Sequence, residues 1–253
     1  MSDSPEHWHF DTRIIGREVF VYDELPSTND RAADADLPVG TVVVARHQTR
    51  GRGQYNRVWQ SRTGVSLLAS IRLLPPPELN RPVTLTAWAA VAVGEATREL
   101  TGRQAKIKWP NDLLIRGKKI CGILIEQKTA TIVGIGLNLN QTAEEFAAAN
   151  LPDATSLGIV GDSDFDLRRA CEVVVGKLDA EYTRLLAGER VPLEADWKWR
   201  IGLLGQHVVA DLADGEAVAG RLIEMGFDGI ELDLGDGAVR VLTPEFVRHL
   251  AAV

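Results

Sequence analysis

The stretch from residue 82 to residue 100 constrains the fold most. Its apolar residues recur at helical spacing with few breakers, which predicts a long buried helix. Four short runs rich in apolar and β-branched residues flank it, at residues 41–45, 66–73, 120–126 and 131–139. Such runs are typical of buried strands. With a second helical stretch at residues 166–186, the chain is predicted to be an α+β protein.

Changes in pattern divide the chain into three parts. Residues 1–12 are expected to form a disordered tail, and residues 13–202 contain both long helices. After residue 202 short apolar runs alternate with the turns Asp214-Gly215, Asp228-Gly229 and Asp236-Gly237. Four or five short strands with tight turns predict a small β-barrel domain over residues 203–253.

The composition limits the class of protein. The 253 residues are 45% hydrophobic, which is ample for one large domain and one small one. A net charge of −7 argues against a dominant role in binding nucleic acid. The N-terminus lacks the basic and apolar segments of a signal peptide, and no apolar stretch is long enough to span a bilayer. We therefore expect a cytoplasmic protein that does not bind a membrane.

The two cysteines, Cys121 and Cys171, form neither a CxxC pair nor a cluster with histidine. A disulfide framework and a structural zinc site are therefore not expected. Both residues are predicted to be buried free thiols. As a nucleophile, Cys121 would need a base that the sequence does not identify.

A loop rich in glycine and arginine follows the first strands, with the sequence Gly51-Arg52-Gly53-Gln54-Tyr55-Asn56-Arg57-Val58-Trp59. Its glycines let backbone amides approach a ligand, and Arg52 and Arg57 offer planar cations for a carboxylate or a phosphate. The spacing is neither the Rossmann glycine pattern nor a P-loop. A solvated turn that carries arginines is the alternative, and the loop alone does not decide between the two.

A second polar motif is Lys108-Trp109-Pro110-Asn111-Asp112. A strand that Pro110 stops would project Asn111 and Asp112 from its end, where ligand contacts are common. An amide suits a nucleotide or a sugar, and a carboxylate suits Mg²⁺ or an amide. An Asx-turn after a strand explains the same residues, so both interpretations stay open.

Further candidates lie on the neighbouring strands. Lys119 abuts an apolar strand, where its ammonium could face an anion, whereas Lys118 is typical of a solvated hairpin turn. Gly122 leaves room for a ligand close to the backbone. Asn138 stands at a strand end, where asparagine is commonly structural, and Ser27-Thr28-Asn29 would alone indicate only a helix cap.

The order of these motifs resembles the catalytic domain of biotin–protein ligases. The succession is Ser27-Thr28-Asn29, Gln48-Thr49-Arg50-Gly51-Arg52-Gly53 with Trp59, Lys108-Trp109-Pro110-Asn111-Asp112, Lys119-Ile120-Cys121-Gly122-Ile123-Leu124-Ile125-Glu126 and Gly134-Ile135-Gly136-Leu137-Asn138-Leu139-Asn140. Ala154-Thr155-Ser156-Leu157 and the C-terminal barrel are also similar to that family. The resemblance implies a mixed-sheet catalytic domain related to class II aminoacyl-tRNA synthetases, followed by a barrel like Src-homology-3 domains.

The resemblance also implies two ligand sites. The residues that it assigns to biotin are Ser27, Thr28, Asn29, Gln48, Gly51, Arg52, Gly53, Gln54, Lys119 and Gly122. Those that it assigns to ATP are Arg57, Trp59, Lys108, Asn111, Asp112 and Asn138. Arg52 and Lys119 would be the catalytic residues, and Gly122 and Gly136 would give the ligand room. No metal ligand is assigned, because Mg²⁺ is expected to be held mainly by the phosphates of ATP.

The activity implied by the resemblance is that of an ATP-dependent ligase. The biotin carboxylate would attack the α-phosphorus of ATP and form biotinyl-5′-AMP with release of pyrophosphate. A lysine of a biotin carboxyl carrier protein or domain would then attack the acyl carbon and release AMP. Cations from Arg52, Arg57, Lys119 and Mg²⁺ would offset the charge where the two anions meet. Closure of the glycine-rich loop would shield the mixed anhydride from water.

The sequence departs from the family pattern in one motif. Gln54, Tyr55 and Asn56 stand where many members have arginine and glycine, so the loop has fewer cations to retain the adenylate. The motifs begin near Ser27, which leaves no room for the DNA-binding domain that some members carry, and DNA binding is not expected. Because the family includes monomers and dimers, a homodimer stays open.

Two other functions compete with this prediction. Lipoate or octanoate ligases and transferases share the fold, but they carry a downstream histidine in a context that His7, His9, His47, His207 and His249 do not reproduce. A non-catalytic sensor of biotin or adenylate is the alternative from a different class. The presence of both Arg52 and Lys119 favours the enzyme.

Overall fold

The computed structural model describes residues 4–60, 62–235 and 237–253, and these form thirteen strands and six α-helices. The strands are β1 Glu6–Trp8, β2 Val19–Leu25, β3 Val42–Gln48, β4 Ser66–Leu73, β5 Lys106–Lys108, β6 Asp112–Ile115, β7 Lys118–Gln127, β8 Thr131–Asn138, β9 His207–Leu212, β10 Ala217–Met225, β11 Ile230–Asp233, β12 Val239–Leu242 and β13 Val247–Ala252. The helices are α1 Thr28–Ala32, α2 Pro82–Thr101, α3 Ala143–Ala148, α4 Leu157–Gly161, α5 Leu167–Leu186 and α6 Arg190–Ile201.

The first sheet has eight strands in the order β1-β2-β3-β4-β8-β7-β6-β5. The pair β2–β3 is parallel and the other pairs are antiparallel, so the predicted α+β class with a mixed sheet is confirmed. The central strand β4 is buried along its whole length and pairs with β8 from Ser66 opposite Asn138 to Leu73 opposite Thr131.

Both faces of the sheet are covered. Side chains alternate along a strand, so Val42 and Val44 belong to the large core beneath the long helices, whereas Val43 joins a smaller apolar cluster with Ala32 of α1. Helix α2 begins with Pro82 at its first position and ends at Gly102, whose φ of 68° favours glycine. The predicted long buried helix is therefore confirmed.

The second sheet has five antiparallel strands in the order β12-β11-β10-β9-β13. It packs against the first part of the chain through Trp109, Trp197 and Phe227, whose neighbouring ring centroids are 5.7 and 5.3 Å apart. Trp109 Nε1 also donates a hydrogen bond of 2.8 Å to the carbonyl oxygen of Val247. The apolar core is thus continuous between the sheets, while the division at residue 203 and the closure of a barrel stay predictions.

The N-terminal segment differs from its prediction. A disordered tail at residues 1–12 is wrong for Glu6–Trp8, which pairs with β2 and buries Trp8 to 3% exposure. Both Asp179 carboxylate oxygens accept backbone N–H groups of the residues that follow, Arg13, Ile14 and Ile15. Residues 1–3, like Asp236 of the predicted Asp236-Gly237 turn, lie outside the described residues.

None of the helices in the described ranges is long and apolar enough to cross a membrane.

Candidate functional site

An open cavity of about 870 Å³ lies where the central strands of the first sheet meet the loop at residues 51–59 and the C-terminal sheet. Every residue predicted to bind biotin or ATP lines this cavity, except Gly51. The structure therefore brings together five motifs that are far apart in sequence, although the role of each residue stays a prediction.

A network of polar side chains contributes Thr28, Asn29 and Gln48 to the cavity wall. Gln48 Oε1 accepts hydrogen bonds from the Thr28 backbone N–H at 2.7 Å and from Thr28 Oγ1 at 2.9 Å. Ser70 Oγ lies 2.7 Å from Thr28 Oγ1 and 2.5 Å from Asn29 Oδ1, and Asn29 Nδ2 donates to Glu126 at 2.7 Å. These contacts fix the Ser27-Thr28-Asn29 motif, so it does more than begin helix α1. Ser70 and Glu126 are absent from the predicted site residues, yet they hold it in shape.

Arg52 makes its contacts with carboxylates at the rim of the cavity. Its guanidinium binds both Asp30 oxygens, at 2.9 and 2.7 Å, and lies 3.1 Å from Glu126 Oε2. The hydrogen bond from Arg52 holds the pKa of Asp30 below its usual value. An anionic ligand would meet an arginine that is already paired, and it would have to share or replace these carboxylates.

The loop that carries Arg52 is a small hairpin. Arg52 and Val58 form an isolated antiparallel bridge, and the Gly53 N–H donates to the carbonyl oxygen of Arg57 at 2.7 Å. A Cβ on Gly51 would come within 2.4 Å of the Trp59 carbonyl oxygen, so Gly51 allows the two ends of the loop to meet. Gly51 is therefore a structural requirement of the loop, consistent with its absence from the cavity wall.

Trp59 lies on a floor made of glycines. A Cβ on Gly136 would come within 2.6 Å of the indole, and one on Gly122 within 3.1 Å. The indole therefore packs against these two glycines, which line the cavity together with it, and the role of the glycines in leaving room for a ligand stays a prediction. The indole Nε1 is buried and has no hydrogen-bond partner in the described part of the chain, so a donor remains for an acceptor.

Lys119 is aimed into the cavity by its backbone. A register shift between Leu113 and Leu114 places Leu113 opposite Cys121 and Leu114 opposite Lys119. The Lys119 N–H donates to Asp153 and its carbonyl oxygen accepts from Thr155, which explains why the Ala154-Thr155 motif accompanies the lysine. Its Nζ lies 2.6 Å from Asp112 Oδ1 and 5.6 Å from the centre of the Trp59 ring.

The residues predicted to bind ATP differ in the freedom of their side chains. Asn111 Nδ2 donates to the carbonyl oxygen of Ile123 at 2.7 Å. Asn138 is buried, and its amide donates a hydrogen bond to the carbonyl oxygen of Thr155 and accepts one from Gln141. These bonds occupy the amide in connecting segments next to the cavity. Lys108 and Arg57 are exposed at the cavity rim, where a polyphosphate would find cations.

The C-terminal sheet supplies part of the wall that the sequence did not predict. The residues concerned are Asp211, Leu212, Gly215, Arg248 and His249. The Arg248 guanidinium lies 5.6 Å from the centre of the Tyr55 ring, which joins this sheet to the hairpin loop. Sequence offers no local signal for such contacts, because the partners are nearly two hundred residues apart.

Both cysteines are buried free thiols, as predicted. Burial raises the pKa of Cys171 to about 12 and raises the pKa of Cys121 as well. Although Cys121 is close to Lys119 in sequence, neither thiol has the lowered pKa of a nucleophile.

Comparison with known proteins agrees with the geometry of the site. The sequence model of the biotin/lipoate A/B protein ligase family matches residues 22–140. The chain is 34% identical over 207 residues to the bifunctional ligase/repressor BirA of Bacillus subtilis, covering 78% of this chain and 64% of that protein, slightly less than two thirds of its length. It is 31% identical to the biotin–[acetyl-CoA-carboxylase] ligase of Mycobacterium tuberculosis, covering 92% of this chain and 90% of that one.

Among solved structures, the biotin protein ligase of Aquifex aeolicus in complex with biotin and ATP is similar along nearly its whole length. The TM-score is 0.76 at 27% sequence identity, covering 93% of this chain and 99% of that chain.

Proposed function

The chain belongs to the biotin/lipoate A/B protein ligase family, in its biotin–protein ligase branch, and we propose that it activates biotin with ATP and transfers it to a lysine of a carrier protein. The observation that carries this proposal is the meeting of the Thr28–Gln48 network, Arg52 and Lys119 around one cavity. A biotin protein ligase of similar structure binds biotin and ATP together.

Biotin has a polar ring system and a carboxylate on an apolar chain. The cavity wall has polar, apolar and cationic residues that would match these three parts of the ligand. The network of Thr28, Asn29 and Gln48 would bind the ring system, since it contains both donors and acceptors. Apolar strand residues, among them Leu68, Ile123 and Ile135, line the same cavity and would contact the chain of the ligand. The carboxylate would then lie toward Lys119.

The first step would join two anions. A carboxylate oxygen of biotin attacks the α-phosphorus of ATP, the bond to the β-phosphate oxygen breaks, and pyrophosphate leaves. Lys119 would reduce the repulsion between the carboxylate and the α-phosphate, and Asp112 positions its ammonium at 2.6 Å. Arg52 would exchange its carboxylate partners for the adenylate as the hairpin loop closes over it.

Mg²⁺ would enter with the triphosphate. Asp112 and Asp211 are the carboxylates that the described residues bring to the cavity wall, and Asp112 is already paired with Lys119. With one of the two carboxylates paired to a lysine, the wall fits a magnesium ion that is bound mainly by ATP, since Mg²⁺ commonly keeps phosphate and water ligands. When bound, the ion would neutralise charge on the departing pyrophosphate.

The second step needs a neutral amine from outside. The neutral amine of a carrier lysine attacks the acyl carbon, the bond from that carbon to the phosphate oxygen breaks, AMP leaves, and the amine proton passes to water. No nucleophile of the chain itself is required, which is consistent with two buried, unreactive thiols. A biotin carboxyl carrier domain as acceptor and a cytoplasmic location are part of the proposal.

The direct test is transfer to an acceptor. A purified biotin carboxyl carrier domain would be incubated with the protein, ATP, Mg²⁺ and either biotin or lipoate, and its intact mass measured. We expect the mass of one biotinyl group to be added, only with ATP, and little transfer with Arg52→Ala. Transfer of lipoate in preference to biotin would move the chain to the lipoate branch of the family.

A further inference from the structure

We propose that His7, His9 and Glu18 bind a divalent transition-metal ion of the zinc or nickel type at the edge of the first sheet. These residues lie outside the cavity described above, and the ligase chemistry does not use them. The ligand atoms that the three side chains offer all lie within 4.8 Å of one another. The donor set of two imidazoles and one carboxylate is one that such ions favour.

The strand geometry brings the three side chains together. His7 lies in β1 and His9 directly follows its last residue, Trp8; the centroids of the two imidazole rings lie 4.3 Å apart, while Trp8 between them is buried on the other face. The register pairs His7 with Phe20 and Trp8 with Val19. If this antiparallel register continues by one residue, His9 lies opposite Glu18.

Contacts of the two rings hold them at this edge. The His7 ring stacks on Phe20 at a centroid distance of 4.6 Å, and its Nε2 lies 2.5 Å from Glu18 Oε2. His9 Nδ1 lies 3.0 Å from the carbonyl oxygen of Arg17 and 3.8 Å from Glu18 Oε1. Small rotations of these half-exposed side chains would open the space that an ion needs.

The charge at this edge favours a cation. Among the described residues, the ion-pair partners of Glu18 are the two histidines. A divalent ion would neutralise the carboxylate of Glu18 while using nitrogen donors of both histidines. Mg²⁺ and Ca²⁺ prefer oxygen ligands, so the site should discriminate against the ion that accompanies ATP.

The surroundings leave room for water to complete the coordination. The exposed side-chain fractions are 37% for His7, 64% for His9 and 41% for Glu18. An adjoining cavity is lined by His9, Glu18 and Thr41, and the buried Thr41 hydroxyl has no hydrogen-bond partner in the described ranges. Water bound to the ion could donate to that oxygen.

The test is a titration of the full chain with Co²⁺, followed by visible absorption, with Zn²⁺ as competitor. We expect saturable binding of one ion per chain that Zn²⁺ displaces and excess Mg²⁺ does not. His9→Ala and Glu18→Gln should each weaken binding by about tenfold or more. His207→Ala and Glu78→Gln change the same residue types at exposed positions away from the site and should bind as the wild type does.

Two further measurements keep the outcome clear. Circular dichroism without metal establishes that each variant folds, and ATP–pyrophosphate exchange should be unchanged in His9→Ala and Glu18→Gln. Binding that is equally strong in the wild type and in these two variants would overturn the proposal. So would the absence of saturable Co²⁺ and Zn²⁺ binding by the folded protein.

Discussion

Trp59 lies so close to Gly136 that a Cβ at residue 136 would come within 2.6 Å of the indole. The contact joins the hairpin loop to the central strand β8, and both residues line the same cavity. It explains why a glycine stands in a strand that is otherwise apolar. It also makes the position of the loop depend on the floor of the site.

A methyl group at residue 136 should therefore impair activity without unfolding the protein. We expect Gly136→Ala to displace the indole and lower biotin-dependent ATP–pyrophosphate exchange about tenfold or more, because overpacking costs about 1–3 kcal/mol. Gly176→Ala is the matched control, since a Cβ there meets nothing within 4 Å and alanine suits a helix. Unchanged exchange in Gly136→Ala would show that the indole position does not matter.

The contact between Arg52 and Asp30 should depend on pH. The pKa of Asp30 is lowered in the folded state, so its contribution to stability is present above the unfolded value of about 4 and is lost as pH falls through the lower folded value. Because both side chains are partly exposed, we expect Asp30→Asn to cost less than about 1 kcal/mol at neutral pH.

Urea denaturation of the wild type and Asp30→Asn at neutral and acidic pH measures this difference. The difference in the free energy of unfolding between the wild type and Asp30→Asn should become smaller as the pH falls below about 4. Asp153→Asn serves as control, because Asp153 is exposed and has no ion-pair partner among the described residues. A difference that becomes larger on acidification would contradict the assigned contact.

Arg248 should support the loop from the C-terminal sheet. We expect Arg248→Ala to raise the KM for ATP about two- to fivefold, because an exposed cation–π contact such as that with Tyr55 contributes about 0.5–1 kcal/mol. Arg240→Ala, on the same sheet but paired with Glu216, should leave KM unchanged in steady-state assays. An equal effect of both substitutions would point to a general loss of stability in the sheet.

The two thiols should resist modification while the chain is folded. Burial raises the pKa of Cys171 to about 12 and also raises that of Cys121, so both stay protonated at mildly alkaline pH. A colorimetric thiol reagent should detect no free thiol in native protein and two per chain in guanidinium chloride. Rapid reaction of one thiol in native protein would contradict its burial.

Much of the fold follows from local patterns. The runs that became β4, β8 and the long helices are apolar along most of their length, so their type could be predicted. Strand β1 could not be predicted from local patterns, because Glu6 and His7 are polar and the pairing of the strand with β2 decides its conformation. Helix α6 was not predicted, because its buried stripe is short and a proline stands in its first turn. Gly202, which directly follows the helix, was the available signal for a helix C-terminus.

The site shows the same limit. Motif order sufficed to find Arg52, Lys119 and the Thr28 motif, but not how these side chains are paired. Asp30 and Glu126 as partners of Arg52, and Arg248 beside Tyr55, arise from contacts between distant segments. A glycine can be identified as necessary from sequence, whereas the indole that fills the space above Gly136 requires the folded chain.

Biotin-dependent exchange of pyrophosphate into ATP, with Mg²⁺, measures formation of the adenylate itself and is the decisive experiment on this protein. We expect exchange with biotin and not with lipoate, a loss of about a hundredfold or more in Lys119→Ala, and near-normal exchange in Lys118→Ala, which removes a neighbouring exposed lysine. Folded protein that supports no exchange with biotin, or exchange that Lys119→Ala leaves intact, would contradict the proposed function.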